Sequence, residues 1–218
     1  MKNLLLFGTT DYGPTLNSSD NLKFHELSKN FKTYVITFGQ ENKYINHNIV
    51  GIRYIKKPKL LFFQYLKFYF FDLIKVKNFC VDNNIDIISS KDPISAFIPT
   101  LIKIFFIKDI KIVIEHHGDF LNLLLNQRRF KNNFIIKFLA NSLSSFTYKK
   151  CDFIRGVEEN YTSNLAKHYS KKYITFPAWV DYSNYKTQNL KRKNLVYVGN
   201  IIPRKGVDFL INAFHEFS

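Results

Sequence analysis

The chain has 218 residues, 46% of them hydrophobic, and such a chain can bury one large core or two small ones. This content excludes a largely disordered protein. The formal net charge of +15 predicts an anionic partner, such as nucleic acid, an anionic membrane surface or a phosphorylated small molecule. A bias in composition that spreads lysine over every solvated surface explains the charge equally well, so both interpretations stay open.

The cysteines and the apolar segments predict where the protein resides. Cys80 and Cys151 are too few for a disulfide framework and lack metal-ligand spacing, so we expect both to fill the core in a reducing cytosol. The amino terminus lacks the long apolar segment of a signal peptide. Three charged residues interrupt the most apolar run, residues 60–76, so no transmembrane helix is predicted. We predict a cytoplasmic protein, with peripheral attachment to the inner face of the membrane as an open alternative.

Short apolar runs alternate with longer amphipathic segments, a pattern typical of βαβ units around a mostly parallel sheet. The predicted strands cover residues 3–7, 33–38, 49–55, 86–89, 111–115, 153–157 and 173–176. The predicted helices cover residues 20–30, 60–83, 94–107, 132–149 and 161–169. Ser19 is predicted to cap the first helix, and Pro93 to stand in the opening turn of the third. The pattern predicts an α/β, Rossmann-like fold with helices on both faces, in which ligands bind at the carboxyl ends of the strands.

The pattern breaks after residue 177 and predicts a second domain. Residues 1–180 are predicted to form one Rossmann-like domain, and residues 181–193 a basic linker. Residues 194–218 begin a new unit, with a strand at 195–198, a loop at 199–204 and a helix at 206–217. One strand and one helix cannot bury their own apolar faces. We therefore expect the sequence to stop inside an incomplete second domain.

The sharpest local motif is VYVGNIIPRKGVDFL at residues 196–210. A strand leads into Gly199, a basic pair at Arg204 and Lys205, and then a helix, which gathers amide donors, positive charge and a helix dipole around one diphosphate. The motif resembles the donor-binding motif of glycosyltransferase family 4, a GT-B family of mostly retaining enzymes. Lys205 matches the family's diphosphate-contacting lysine, whereas Asn200 stands where the family usually has arginine. A surface loop with solvated Arg204 and Lys205 is the alternative.

Four further segments resemble the same family in the same order: IDIISSKDP at 85–93, IEHHGD at 114–119, CDFIRGVEE at 151–159 and FPAWVD at 176–181. The resemblance implies that residues 1–180 are the acceptor-side domain of a GT-B fold. It also implies that residues 194–218 begin the donor-binding domain.

His117 is the catalytic candidate, because it ends a predicted strand before Gly118, where the backbone can approach a ligand closely. The resemblance implies that a histidine at this position lies against the transferred sugar. Only one of His116 and His117 can face the cleft, since successive side chains in a strand point to opposite faces. Gly118 and Asp119 are predicted to belong to the same acceptor or phosphate loop. Glu115 is interpreted as a partner or core-edge carboxylate.

The first βα loop departs from the family pattern. The family usually has two adjacent glycines here, and this chain has Ser18 and Ser19. Their hydroxyl and N–H groups are predicted to hold a phosphate or acceptor hydroxyls at a helix N-terminus, while a plain helix cap is the alternative.

Missing motifs narrow the chemistry. The sequence has no Asp-x-Asp and no metal-ligand cluster, so we predict that no metal and no other cofactor is required. It also lacks a Gly-x-Gly-x-x-Gly and a Walker loop, which disfavours a dinucleotide oxidoreductase and a P-loop NTPase.

The resemblance implies a hexosyltransferase-type glycosyltransferase that uses a nucleotide-sugar donor. The resemblance implies retention and a glycan or lipid-linked acceptor in polysaccharide or glycolipid synthesis, and we expect the 218-residue chain alone to be inactive. Two alternatives stay open: a nucleotide-sugar epimerase of GT-B fold, and a non-catalytic membrane-surface or glycan-binding module. Nucleic acid is not an expected partner, because no recognition helix or aromatic RNA-binding motif occurs.

Overall fold

A computed structural model describes residues 1–10, 12, 15–56, 72–118, 134–176, 196–199, 201 and 205–217. The chain divides into two compact units, Met1–Val180 and Asp181–Ser218. Within the described ranges, none of the helices has both the length and the apolar character that a bilayer crossing requires.

The first unit is built on an eight-stranded sheet with the strand order β3-β4-β2-β1-β5-β6-β7-β8. The strands are β1 (Lys2–Phe7), β2 (Phe31–Gly39), β3 (Lys43–His47), β4 (Val50–Lys56), β5 (Ile87–Ser90), β6 (Lys111–His116), β7 (Phe153–Gly156) and β8 (Lys172–Thr175). Neighbouring strands pair in parallel, except that β3 runs antiparallel to β4 at one edge. The predicted α/β, mostly parallel fold is therefore confirmed.

Helices connect the parallel strands. They are α1 (Ser18–Ser28), α2 (Leu73–Asp82), α3 (Phe97–Phe105), α4 (Phe134–Lys150) and α5 (Glu159–Tyr169). The second unit contains α6 (Val207–Phe217).

Two apolar clusters cover opposite faces of the sheet. Leu5 and Phe7 of β1 join a large cluster with buried residues of α2, α3, α4 and α5. Leu6 of the same strand packs on the other cluster, which contains Phe24 of α1. Alternate residues of a strand point to opposite faces, so β1 carries core on both sides, as a central parallel strand requires. Helices on both faces are confirmed, and Cys80 and Cys151 lie in the large cluster as predicted.

The structure corrects several local predictions. Asn17, not Ser19, caps α1, because the Asn17 side chain accepts a hydrogen bond from the Asp20 amide at 2.7 Å. Pro93 lies in a turn four residues before α3. The edge strand β3 was not predicted at all.

The second unit also departs from the sequence prediction. Residues 196–198 form no strand within the described part of this unit. A strand needs neighbours to pair with, and only α6 forms regular structure in the unit's described residues. The predicted linker at 181–193, and residues 60–71 of the predicted second helix, lie outside the described residues.

Candidate functional site

An open pocket of about 200 Å³ lies within the first unit at the carboxyl ends of β1, β2, β5 and β6. Its polar lining consists of Thr10, Tyr12, Asp20, Lys23, Thr37, Ser89, Lys91, Glu115 and His117. The central strands of a parallel sheet end here, and ligands of open α/β sheets bind at this edge. The pocket is therefore the candidate functional site.

The two adjacent histidines point to different environments. The side chain of His116, the last residue of β6, is 1% exposed and packs edge-on against the Tyr161 ring, with 5.1 Å between centroids. His117 is exposed at the pocket and lies edge-on to the Phe176 ring, at 6.1 Å between centroids. The alternation of a strand thus presents His117 to the ligand side and places His116 in the core.

The surroundings of His117 favour its neutral form. Partial burial lowers the pKa of the imidazole below its usual 6.5, and the positive charges of Lys91, Lys23 and Arg155 act in the same direction. The Glu115 carboxylate opposes this shift. A neutral imidazole has one donor and one acceptor nitrogen, so at neutral pH His117 can both donate to and accept from a ligand hydroxyl.

Glu115 links three neighbouring strands beneath the pocket. One carboxylate oxygen accepts hydrogen bonds from the Ser89 hydroxyl at 2.7 Å and from the Arg155 guanidinium at 2.8 Å. The same guanidinium lies over the Phe176 ring, 3.7 Å from its centroid. This network engages the Glu115 charge and supports the prediction of a partner carboxylate.

Lys91 brings a positive charge over the pocket from the end of β5. Its ammonium donates to the Thr10 hydroxyl at 3.0 Å, and its amide donates to the Phe7 carbonyl at 3.2 Å. A side chain on Gly8 would meet the Lys91 Cβ atom at 3.0 Å, so glycine permits this close approach. The Thr37 hydroxyl donates to the Thr10 carbonyl, and this contact holds the loop after β1 against β2.

The side of the pocket formed by α1 contributes Asp20 and Lys23. Burial lowers the pKa of Lys23, and the charges of Arg155 and Lys91 add to this effect, while Glu115 and Asp20 oppose it. Burial also raises the pKa of Tyr12 to about 12, so its phenol stays protonated. Neither Lys23 nor Lys91 was among the predicted site residues. Lys91 directly follows a predicted strand end, and that position could have identified it.

The predicted loop residues lie elsewhere. Ser18 and Ser19 are exposed in the first turn of α1 and do not line the pocket. Gly118 follows His117 with a φ of +94°, and no atom lies within 4 Å of the Cβ that a larger residue would add there. Asp119 lies outside the described residues.

The predicted donor loop belongs to the second unit. Gly199 and Lys205 are described, and Lys205 is exposed. Gly206, with a φ of +62°, forms the left-handed turn between Lys205 and α6, and its carbonyl accepts from the Leu210 amide at 3.1 Å. Asn200 and Arg204 lie outside the described residues. Across the described residues of both units, no group of three or more His, Cys, Asp or Glu side chains could hold a metal ion.

The strand order, the helices on both faces and the pocket at the carboxyl edge define a Rossmann-like α/β domain. No family model and no curated protein sequence matches the chain.

Solved structures of GT-B glycosyltransferases share this fold. Sucrose-phosphate synthase from Thermosynechococcus elongatus matches with a TM-score of 0.68 and 12% identity, over 99% of this chain and 60% of that one. The catalytic domain of starch synthase IV from Arabidopsis thaliana, bound to ADP and acarbose, matches with a TM-score of 0.57 and 11% identity, over 99% and 66%. Medicago truncatula UGT71G1, complexed with UDP-glucose, matches with a TM-score of 0.51 and 10% identity, over 88% and 55%. The chain thus spans about 60% of the length of the sucrose-phosphate synthase structure.

Proposed function

We propose that this chain contributes the acceptor-side half of a glycosyltransferase, which transfers a sugar from a nucleotide-sugar donor to an acceptor hydroxyl. The observation that carries the proposal is the likeness to sucrose-phosphate synthase over 99% of the chain, together with a pocket at the carboxyl edge that His117 lines. Starch synthase IV bound to ADP and UGT71G1 complexed with UDP-glucose support a nucleotide sugar as the donor.

The roles of individual residues follow from the motifs. His117 orients the transferred sugar, and its neutral imidazole donates to or accepts from a sugar hydroxyl. Lys205, with Arg204 and the backbone around Gly199 and Asn200, stabilises the negative charge of the leaving nucleoside diphosphate. The proposed chemistry is positional and electrostatic, and it uses no metal.

The finer assignment rests on the resemblance of five ordered segments to glycosyltransferase family 4. On that basis we propose a retaining hexosyltransferase of glycan or glycolipid synthesis. In the same proposal, the acceptor or a phosphate is contacted by Ser18, Ser19, Gly118 and Asp119.

Two substitutions test the proposal in the protein that contains these residues. His117→Ala should lower kcat by about 100-fold or more and change donor binding little, because positioning at the reaction centre matters most in the transition state. Lys205→Ala should weaken donor binding as well as turnover, because its charge meets the diphosphate in both states. Transfer is measured with a panel of nucleotide sugars, and donor binding by calorimetry.

His25→Ala is the matched control, because His25 is an exposed histidine of α1 that does not line the pocket. Wild-type rates in both test variants would remove His117 and Lys205 from the active site. Conversion of the nucleotide sugar without any acceptor would instead favour the epimerase.

A membrane-facing surface is proposed on α4. Phe134 and Phe138 are 78% and 60% exposed, and Ile135 and Leu139 extend the same apolar strip. The strip lies opposite the buried face of α4, and the helix contains three lysines and no acidic residue. Exposed apolar side chains combined with positive charge are typical of helices that lie on anionic lipid.

The protein should sediment with anionic but not neutral liposomes, and salt should release it. Equal indifference to both liposomes would contradict the proposal.

A further inference from the structure

Among the described residues, the pocket of the first unit has positive charge that its own side chains do not pair. Lys23 and Lys91 line it, and Asp20 and Glu115 are the carboxylates among its described lining residues. Together with partial burial, the charges of Lys91, Lys23 and the nearby Arg155 lower the pKa of His117. Glu115 is already engaged, because it accepts from Arg155 at 2.8 Å and from Ser89 at 2.7 Å.

Among the described residues, no carboxylate lies close enough to pair with either lysine of the pocket. No ion pair within 4.0 Å joins either ammonium to a carboxylate of the described residues. Lys91 instead donates to the Thr10 hydroxyl at 3.0 Å. Lys23 is partly buried, and burial of an ammonium without a paired anion is unfavourable. A ligand with a negative group would reduce this cost, so the pocket is electrostatically complementary to an anion.

The pocket also has the volume and the donors for such a group. Its volume of about 200 Å³ is far above the minimum of about 10–15 Å³ that one water molecule needs. The hydroxyls of Thr10 and Tyr12 also line the pocket. Two lysines and two carboxylates line the pocket, and because Arg155 already engages Glu115, one lysine charge among the described residues is left for a single anionic group.

We propose that this pocket binds a phosphate or carboxylate group carried by the acceptor, held between Lys23 and Lys91. The inference rests on the proposed glycosyltransferase function and narrows its acceptor to an anionic sugar or sugar phosphate. It assigns the anion to the acceptor because the loop proposed for the donor diphosphate, around Lys205, belongs to the second unit.

Binding of small probes to the 218-residue chain tests the inference directly. The probes are glucose 6-phosphate for a phosphate, glucuronate for a carboxylate, glucose as the neutral control, and ADP and UDP as donor-type diphosphates. Calorimetry is carried out at constant ionic strength. We expect at least one anionic sugar to bind and glucose to bind more than tenfold more weakly.

Charge-removing variants locate the site. Lys23→Gln and Lys91→Gln should each weaken binding of the anionic sugar at least tenfold, and Lys23→Arg and Lys91→Arg should retain most of it. Lys167→Gln, which removes an exposed lysine of α5 outside the pocket, should have no effect. Lys205→Gln should weaken ADP and UDP binding alone. Circular dichroism checks that each variant is folded.

The outcomes separate this inference from the proposed function. Equal weakening by all lysine variants, or equal affinity for glucose and both anionic sugars, would overturn the pocket assignment even if the full-length protein transfers sugar. Loss of ADP and UDP binding in Lys23→Gln without any binding of an anionic sugar would assign the pocket to the donor and refute the acceptor role. If the expected pattern holds but no transfer occurs with any donor, the anion site stands and the glycosyltransferase proposal falls.

Discussion

Gly156 is the position where one added methyl group should disturb the site most. It ends β7 in register with His116, and a Cβ there would collide with the Thr162 hydroxyl and lie 2.8 Å from two atoms of the His116 ring. The Thr162 hydroxyl cannot withdraw easily, because it donates to the Glu158 carbonyl at 2.5 Å. The buried His116 ring also has little space to move. Gly156→Ala should therefore shift the side chain of His116, which is the neighbour of the pocket residue His117.

The expected loss of stability can be bounded from these contacts. Overpacking a close-packed interior by one methyl group costs about 1–3 kcal/mol. Alanine also has fewer backbone conformations than glycine in the unfolded chain, and this stabilises the folded state by about 0.4–1 kcal/mol. The difference is about 0–2.6 kcal/mol. Because the nearest Thr162 and His116 atoms lie closer to the added Cβ than real contacts allow, we expect Gly156→Ala to lower the free energy of unfolding by about 1–2 kcal/mol. With a urea dependence of about 2–3 kcal/mol per M, the unfolding midpoint should fall by about 0.5 M.

Urea denaturation followed by circular dichroism measures this change, and a double-mutant cycle assigns its cause. Thr162→Ala removes the colliding hydroxyl, so Gly156→Ala should cost about 1 kcal/mol less in that background. A Gly156→Ala protein within 0.5 kcal/mol of the wild type, or a cycle with no coupling between the two positions, would refute the predicted collision.

Three further predictions concern charge and surface. In NMR titrations the pKa of the His117 ring should lie below 6.5. Because the folded state then binds this proton less readily than the unfolded state, acidification below pH 6.5 should destabilise the folded state. A pKa at or above 6.5 would contradict the site geometry. Burial alone would raise the pKa of Asp152, but hydrogen bonds from Lys103 and from the Ile112 amide lower it below 3.8. Asp152→Asn should therefore cost about 1–2 kcal/mol at pH 7 by urea denaturation, and this difference should shrink below pH 4, whereas a pH-independent difference would argue against the ion pair. On the α4 surface, Phe138→Asp should reduce sedimentation with anionic liposomes more than Ile174→Asp, which changes an exposed apolar residue of β8, and equal losses would indicate an effect of net charge alone.

The fold was predictable wherever a strand carries core on both faces. In β2, residues 33–38 are all buried, and their run of β-branched and aromatic residues stands out in the sequence. The edge strand β3 reads KYINH and has no fully buried residue, so its sequence shows no comparable run. It becomes a strand because β4 offers a pairing partner, and pairing of this kind depends on tertiary context.

Local competition explains the misplaced helix cap. Asn17, Ser18 and Ser19 are consecutive residues that can all accept a hydrogen bond at a helix N-terminus. Which of the three residues caps the helix depends on the position at which the loop after β1 meets α1. The local sequence does not determine that position. The shift by two residues placed both serines in the helix rather than before it.

The candidate site was only partly predictable for a similar reason. His117 could be identified because it directly follows a strand, and strand ends of a parallel sheet converge on one edge. Lys23 lies on a helix, more than a turn beyond the cap, and only the packing of α1 brings it to the pocket. The pairing of Glu115 with Arg155 joins residues 40 positions apart in sequence, and local patterns carry no information about such a contact.

Phe176 lies where the chain leaves the last strand of the sheet. Its ring lies under the Arg155 guanidinium and beside the His117 imidazole, and its amide donates to the Gly156 carbonyl at 3.0 Å. The residue that follows the last strand therefore contacts a pocket residue, His117, through its aromatic ring. Phe176 thus contributes to the orientation of both His117 and Arg155 from the end of the last strand.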